Sequence, residues 1–213
     1  GDIQYMCGFA GFVGEVENRE QVLENMIDTI IHRGPDSSGK FVDEDAALGF
    51  RRLSIIDLSE SGDQPLYNED RSKVLVFNGE IYNYQELREE LIQAGHTFVS
   101  NTDSETLIHG YEQWGEELVY RLRGMYAFAI WDQKAKRLFS ARDIFGIKPL
   151  YYAQMNGTLM FGSEIKSFLE HPKFDKVFNE DALGNYLSFQ FVPTNETFFK
   201  GVFCVQPGHY FVY

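Results

Sequence analysis

A handful of polar motifs, far apart in the chain, carry residues able to do chemistry. Cys7 opens the run CGFAGF directly behind Met6. A thiolate attacks carboxamide and ester carbonyls, and a cysteine that heads its chain has its own α-amine as proton acceptor. That amine has a reference pKa of roughly 8, close to a thiol's, so proton exchange between them is cheap near neutral pH. Here residues 1–6 precede Cys7, so its nitrogen is an amide. Met6 reads as a natural start and Gly1 to Tyr5 as a leader left from expression. A lone cysteine near a terminus is more often a small buried hydrophobe or an idle thiol. Only the company of the other motifs raises Cys7 above that reading.

Arg51-Arg52 stands at the edge of an apolar strand, where an unpaired guanidinium is expensive. The planar fork of Arg52 suits a carboxylate, such as a free amino acid presents. One arginine of the pair is expected to face the site and the other solvent. Asn78-Gly79 follows a strand directly. A side-chain amide beside a glycine N–H can aim two donors at one developing oxyanion; the competing reading is an ordinary Asn-Gly turn. Thr102 and Asp103 precede a helix and would serve as caps, or the carboxylate would hold an ammonium. In His32-Arg33-Gly34-Pro35-Asp36, Arg33 and Asp36 read as a brace for a turn, and Arg142-Asp143 with Phe145 to Pro149 reads as a second structural turn. A nucleophile, an oxyanion hole, a carboxylate clamp and an ammonium clamp together suit an amino acid with an amide side chain, which is glutamine.

The elements that must position these residues are short. Strands are predicted over Phe9–Val13, Ala47–Phe50, Leu53–Asp57 and Lys73–Phe77. A helix capped by Asn18, with Gln21 three residues on, turns Val22, Met26, Ile27, Ile30 and Ile31 to one face and stops before Gly34-Pro35. A second helix runs from Tyr84 to Ala94 behind an Asn83 cap, and a third starts near Thr102 and buries Leu107, Ile108 and Tyr111. A short further helix leads to Leu122. Beyond it come two hairpins, Met125–Trp131 with Arg137–Ala141 and Leu150–Gln154 with Thr158–Phe161, the latter turning on Asn156-Gly157. Short helices follow Ser163 and Asn179, and a strand runs over His209–Tyr213. Cys204, among Val202, Phe203 and Val205, reads as a core or sheet-face residue without a chemical role. Hairpins imply antiparallel sheets, and paired helices between them imply sheet on sheet with helices outside.

Bulk properties narrow the class. A chain of 213 residues is long enough for one sizeable core. Its net charge of -13, from 32 acidic and 19 basic residues, opposes binding to nucleic acid or an anionic membrane surface. Two distant cysteines suggest neither a disulfide scaffold nor a zinc or redox pair. No apolar run approaches the ~20 residues that cross a bilayer. A cytoplasmic setting fits.

Together the motifs Met6-Cys7-Gly8, HRGPDSSG from His32, RLSIID from Arg52, GDQPL from Gly62, NGEIYNYQELR from Asn78, SNTDSE from Ser100 and RDIFGIKPLYY from Arg142 resemble one family closely. It is the N-terminal glutaminase domain of glutamine-hydrolysing asparagine synthetases, a class II (N-terminal nucleophile) glutamine amidotransferase. NGEIYN and GDQPL favour this branch over the amidophosphoribosyl, glucosamine-phosphate and glutamate synthase relatives. The resemblance implies an α+β fold, a four-layer α/β/β/α sandwich of two antiparallel sheets, filling residues 7–213. It implies Cys7 as nucleophile and, once exposed, base; Asn78 and Gly79 as oxyanion hole; Arg52, with backbone at Leu53 and Ile55, on the glutamine carboxylate; and Asp103, with backbone at Glu80, on its ammonium. No metal or cofactor is expected for this domain. A synthetase domain using ATP and Mg, not present in this sequence, and a homodimer are expected of the full-length protein. Two alternatives stand beside this: a silent glutamine-binding regulatory domain, and an amidotransferase for an acceptor other than aspartate.

Overall fold

A computed structural model describes residues 7–53, 63–190 and 194–213. Two antiparallel sheets make its centre. The first holds β1 (Gly8–Val13), β2 (Ser37–Val42), β3 (Ala46–Arg52), β8 (Tyr151–Met155), β9 (Thr158–Gly162) and β10 (Val202–Cys204), in the order β10-β8-β9-β1-β3-β2. The second holds β4 (Leu66–Tyr67), β5 (Lys73–Ile81), β6 (Gly124–Asp132), β7 (Arg137–Arg142) and β11 (Tyr210–Val212), in the order β11-β7-β6-β5-β4.

Period-two alternation sorts the side chains of each strand into layers. Phe9 and Val13 of β1, Leu48 and Phe50 of β3, and Phe161 of β9 meet Val74, Val76, Ala129 and Trp131 between the sheets. From the opposite face of the first sheet, Ala10, Phe12, Ala47 and Met160 pack on Leu23, Met26 and Ile27 of α1 (Arg19–Asp28) and on Phe168 of a 3₁₀ turn over Ile165–Glu170. On the outer face of the second sheet, Leu75, Phe77, Phe128 and Ile130 pack on Leu87 of α2 (Tyr84–Gln93) and on Leu107, Ile108 and Tyr111 of α3 (Ser104–Trp114). The expected α/β/β/α order is thus present. A fourth helix, α4 (Glu180–Phe189), is capped by the Asn179 side chain, which accepts from the Ala182 N–H.

Several local expectations need correction. Asn18 adopts a left-handed conformation with φ 53° and makes no side-chain cap bond. Ile31 is exposed, because α1 ends at Asp28 and the turn that follows swings it off the apolar face. Asn83 stands at the N-cap of α2 as expected, but its side chain makes no cap bond; its amide bridges Arg121 O and Arg123 N, 38 and 40 residues away. β2, β4 and β10 had no sequence signal, since β2 reads SSGKFV and the other two span two and three residues. β5 continues through Asn78-Gly79 to Ile81, so that pair is strand and not turn. Of the strand expected over Leu53–Asp57, only Leu53 lies within the described residues. The Asn156-Gly157 hairpin is present, with φ 50° and 74°.

The second structural turn is a hub around Asp143. Fully buried, it accepts N–H bonds from Tyr126, Phe145, Ile147 and Lys148. Beside it Arg142 donates to the carbonyls of Gly146, Lys148 and Val205. Replacing Asp143 with Ala strands four amide donors away from water, so Asp143→Ala should destabilise the fold by at least about 3 kcal/mol in urea unfolding. A loss under ~1 kcal/mol would show that the turn holds itself without the carboxylate.

Candidate active site

The same alternation that builds the core decides which polar side chains meet. Cys7 packs against the inter-sheet core at the start of β1, on the side of Phe9. Arg52 ends β3 in phase with Leu48 and Phe50, and Asn78 continues the Val74 and Val76 face of β5. All three side chains therefore issue toward the gap between the sheets. Arg51 lies out of phase. It is only 8% exposed, donates to Ile27 O and pairs with Asp28, so it anchors α1 and does not face solvent as expected. Strand parity, read from Ala47 to Phe50, was the signal that separates the two arginines.

Cys7 is held on two sides. Its Sγ accepts from the Leu53 N–H at 3.4 Å and lies 3.8 Å from Leu53 O. Its carbonyl accepts from Arg33 Nε at 3.2 Å, and Arg33 Nη1 reaches Glu164 at 3.0 Å. Arg33 thus braces Cys7 through the Cys7 backbone carbonyl. Gly8 makes room for that brace, since a Cβ there would stand 2.8 Å from Arg33 Cδ. His32 and Lys166 also pair with Glu164. Arg52 Nη1 donates to Asp63 at 2.6 Å.

Asn78 is 3% exposed, and its Nδ2 has no hydrogen-bond partner among the described residues. An amide donor buried without a partner costs about 1–3 kcal/mol, a cost that a bound oxygen would remove. Next to it, Gly79 has φ 151°, and a Cβ would meet Met125 O at 2.1 Å, so only glycine fits. Antiparallel strands present alternate residues to each neighbour. Phe77 N and O face away from β6 and are paired with the Gln64 side chain at 2.6 and 3.1 Å. Ile81 N likewise donates outward to Asp103 Oδ2 at 2.8 Å. By parity the Gly79 N–H lies on that outer edge between them.

Asp103 does not cap α3 with its side chain. It joins Gly79, Glu80, Tyr82, Tyr84, Ser100 and Thr102 in lining an open cleft of about 840 Å³. Burial raises its pKa above the ordinary carboxylate value, and the nearby Glu80 charge adds to this against the Ile81 N–H bond. Ile55 lies outside the described residues. Cys204 is half-buried, with Arg142 Nη1 3.1 Å from its Sγ.

Four contributors escaped sequence reasoning: Glu164, Gln64, Lys148, and Arg33 in its contact with Cys7. Lys148 is buried, and burial together with the Arg33 charge lowers its pKa, against the charges of Asp143, Cys7 and Glu80. One ammonium thus feels both the β1 end, at Cys7, and the β5 end, at Glu80. Gln64 sits in the GDQPL motif, whose spacing says nothing about a partner thirteen residues on.

The glutamine amidotransferase domain family matches residues 6–213. The chain belongs to that family. It is 47% identical over 211 residues to asparagine synthetase [glutamine-hydrolyzing] 1 of Bacillus subtilis, covering 97% of this chain and 33% of that protein. It is 36% identical to amidase chry2 of Gibberella zeae, covering 97% of this chain and 32% of that one. The amidotransferase domain thus spans about a third of the length of these relatives. Its fold is that of the B. subtilis glutamine phosphoribosylpyrophosphate amidotransferase structure, with a TM-score of 0.66 at 22% identity, over 81% of this chain and 45% of that one. Among the described residues no helix is long and apolar enough to cross a membrane.

The raised pKa of Asp103 sets function against stability. A carboxyl whose folded pKa lies above its unfolded one costs stability once pH rises through the folded value. Asp103→Asn should therefore raise the unfolding midpoint of the ligand-free domain at neutral pH, since the amide oxygen can still accept from Ile81. With Asp103 in the ammonium-binding role that the sequence resemblance implies, the change should also weaken glutamine binding by about 2 kcal/mol, roughly thirtyfold. Thermal melts with and without glutamine read both effects, and a variant less stable than wild type at neutral pH would contradict this account.

Proposed function

We propose that the domain hydrolyses the side-chain amide of glutamine through a cysteinyl thioester and passes the ammonia to a synthetase domain. The observation that carries this is the buried Asn78 Nδ2, without a hydrogen-bond partner among the described residues, beside the Gly79 N–H and turned toward the layer that holds Cys7. The Cys7 thiolate adds to the amide carbonyl, and negative charge moves to its oxygen between Asn78 Nδ2 and Gly79 N. Donors set in place before the reaction spend nothing on reorganisation, which is why such holes contribute strongly. Collapse expels ammonia, which takes the proton collected by the α-amine of a chain-heading Cys7. Water then attacks the thioester, releasing glutamate and restoring the thiolate.

Recognition follows from the clamps. Arg52, oriented by Asp63, receives the α-carboxylate with the Leu53 and Ile55 backbone, and Asp103 with the Glu80 backbone receives the α-ammonium. In the larger protein we propose an ATP- and Mg-dependent domain that amidates aspartate, a homodimer, and a cytoplasmic setting that keeps Cys7 reduced. Support comes from the similarity to asparagine synthetases. The similarity to an amidase favours a second reading, in which the acceptor is another molecule and only the glutaminase half is shared. Assay of the full-length protein with ATP and aspartate separates the two.

Asn78→Ala should lower kcat for glutamate release by about 3 kcal/mol of transition-state stabilisation, more than a hundredfold, with KM changed far less. A protein beginning at Cys7 should turn over glutamine, whereas the chain with residues 1–6 attached should be nearly inactive, because an amide nitrogen accepts no proton. Equal turnover by both, with N-termini checked by mass, would exclude the α-amine as base. A Cys7-headed protein that binds glutamine without releasing glutamate would leave a regulatory domain.

A further inference from the structure

On the outer face of α3, away from the inter-sheet gap, a second polar cluster plays no part in glutamine chemistry. It joins Glu69, just beyond β4, and His96, just beyond α2, to His109 and Glu112 of α3. One donor atom from each of the four lies within 4.8 Å of each of the others. We propose that Glu69, His96, His109 and Glu112 form a binding site for a divalent transition-metal ion of the zinc class.

The distances favour a shared ion over simple pairing. His109 Nδ1 lies 3.1 Å from Glu112 Oε2 and 3.6 Å from Glu69 Oε1, and His96 Nδ1 lies 3.7 Å from the same Glu112 oxygen. Two of these three are too long for good hydrogen bonds. Zinc bonds of ~2.0–2.2 Å in a tetrahedron place ligand atoms about 3.3–3.5 Å apart, close to all three. Two imidazoles and two carboxylates are a donor set suited to zinc or cobalt.

The far side of each inner donor is already occupied by an orienting partner. His109 Nε2 faces Glu105 at 3.4 Å, and His96 Nε2 faces Gln113 Oε1 at 3.0 Å. Both outer nitrogens are therefore placed to carry the proton, which leaves both Nδ1 lone pairs for the cluster. Asn68 Nδ2 holds the other oxygen of Glu112 at 2.7 Å. This is the carboxylate–histidine–metal arrangement in which an outer partner sets the tautomer and the ring direction. Glu105 is itself fixed by the Val99 and Ser100 N–H groups. His109 is only 2% exposed, while Glu69 is exposed and gives an ion its entry. The rival occupant is a proton, since Glu105 and Glu112 outweigh burial and lift the His109 pKa to about 9. The sequence reading expected no metal here, because the four ligands come from three separate segments without a ligand-spacing motif.

An ion here would stiffen one wall of the glutamine cleft, since Glu105 ties His109 to Val99 and Ser100, which line it. The test titrates Zn²⁺ into metal-free protein by calorimetry, using Cys7→Ala so that the thiolate cannot serve as ligand. One equivalent should bind with a Kd of about micromolar or tighter. His96→Ala and Glu69→Ala, each near the surface, should weaken binding about tenfold or more while leaving the metal-free melting curve in place. The Co²⁺-loaded protein should show d–d absorption without a thiolate charge-transfer band. No binding below about millimolar Zn²⁺, or binding equally strong in both variants, would overturn the site and leave a protonated, ion-paired His109. None of these readouts depends on glutamine hydrolysis.

Discussion

Along Phe77–Ile81 the outer edge of β5 meets no partner strand among the described residues, since β4 pairs only with Val74 and Leu75. Buried backbone amides must find acceptors somewhere. Gln64 takes Phe77 and Asp103 takes Ile81, each reaching in from a distant segment. The alternate residue between them, Gly79, keeps its N–H on the same edge. The two groups proposed as oxyanion donor and ammonium acceptor thus arise from one requirement, the satisfaction of a strand edge left open. Glycine is needed there twice over, for its φ and for the Met125 carbonyl packed against it.

Cys7, the proposed nucleophile, is placed by a separate set of constraints that converge on the same gap. β1 sits between β9 and β3 in the first sheet, so the approach of Cys7 to β5 follows from sheet-on-sheet packing. Its carbonyl is tied to Arg33, Arg33 to Glu164, and its sulfur to Leu53. A small error in the position of a reacting atom costs orders of magnitude in rate. A half-buried guanidinium with a carboxylate partner loses part of its hydration, which is reason to read it as positioning and not as added stability.

The polar groups of the cleft sit in tension with the fold around them. Burial pushes Asp103 toward its neutral form and Lys148, outside the cleft lining, toward its uncharged form, whereas the ammonium-binding role proposed for Asp103 needs it ionised. The same helix that begins beside Asp103 carries His109, whose carboxylate neighbours outweigh burial and raise its pKa. Glu105 links the two ends: bonds from His109, Ser100 and Val99 override its own burial and hold its pKa near 2. Cleft wall and outer cluster are therefore one hydrogen-bonded body.

The amino-acid sequence alone determined the chemistry on offer, the antiparallel character of the sheets and most element positions, because these rest on local spacing. The apolar run at Phe9–Val13, the helical repeat at Leu107–Tyr111 and the Asn156-Gly157 turn are all local signals. Where polarity hid the alternation, as in the SSGK start of β2, or where a cap gave way to a tertiary bond, as at Asn83, the local signal failed. Tertiary structure decided which polar residues meet. It sent Arg51 to α1 and Arg52 to the gap, left Asn78 Nδ2 without a partner among the described residues, gave Gln64 and Glu164 their tasks, and gathered Glu69, His96 and His109 from three segments. Those outcomes depend on the packing of residues distant in the chain, and spacing along a sequence carries no record of distance across a fold.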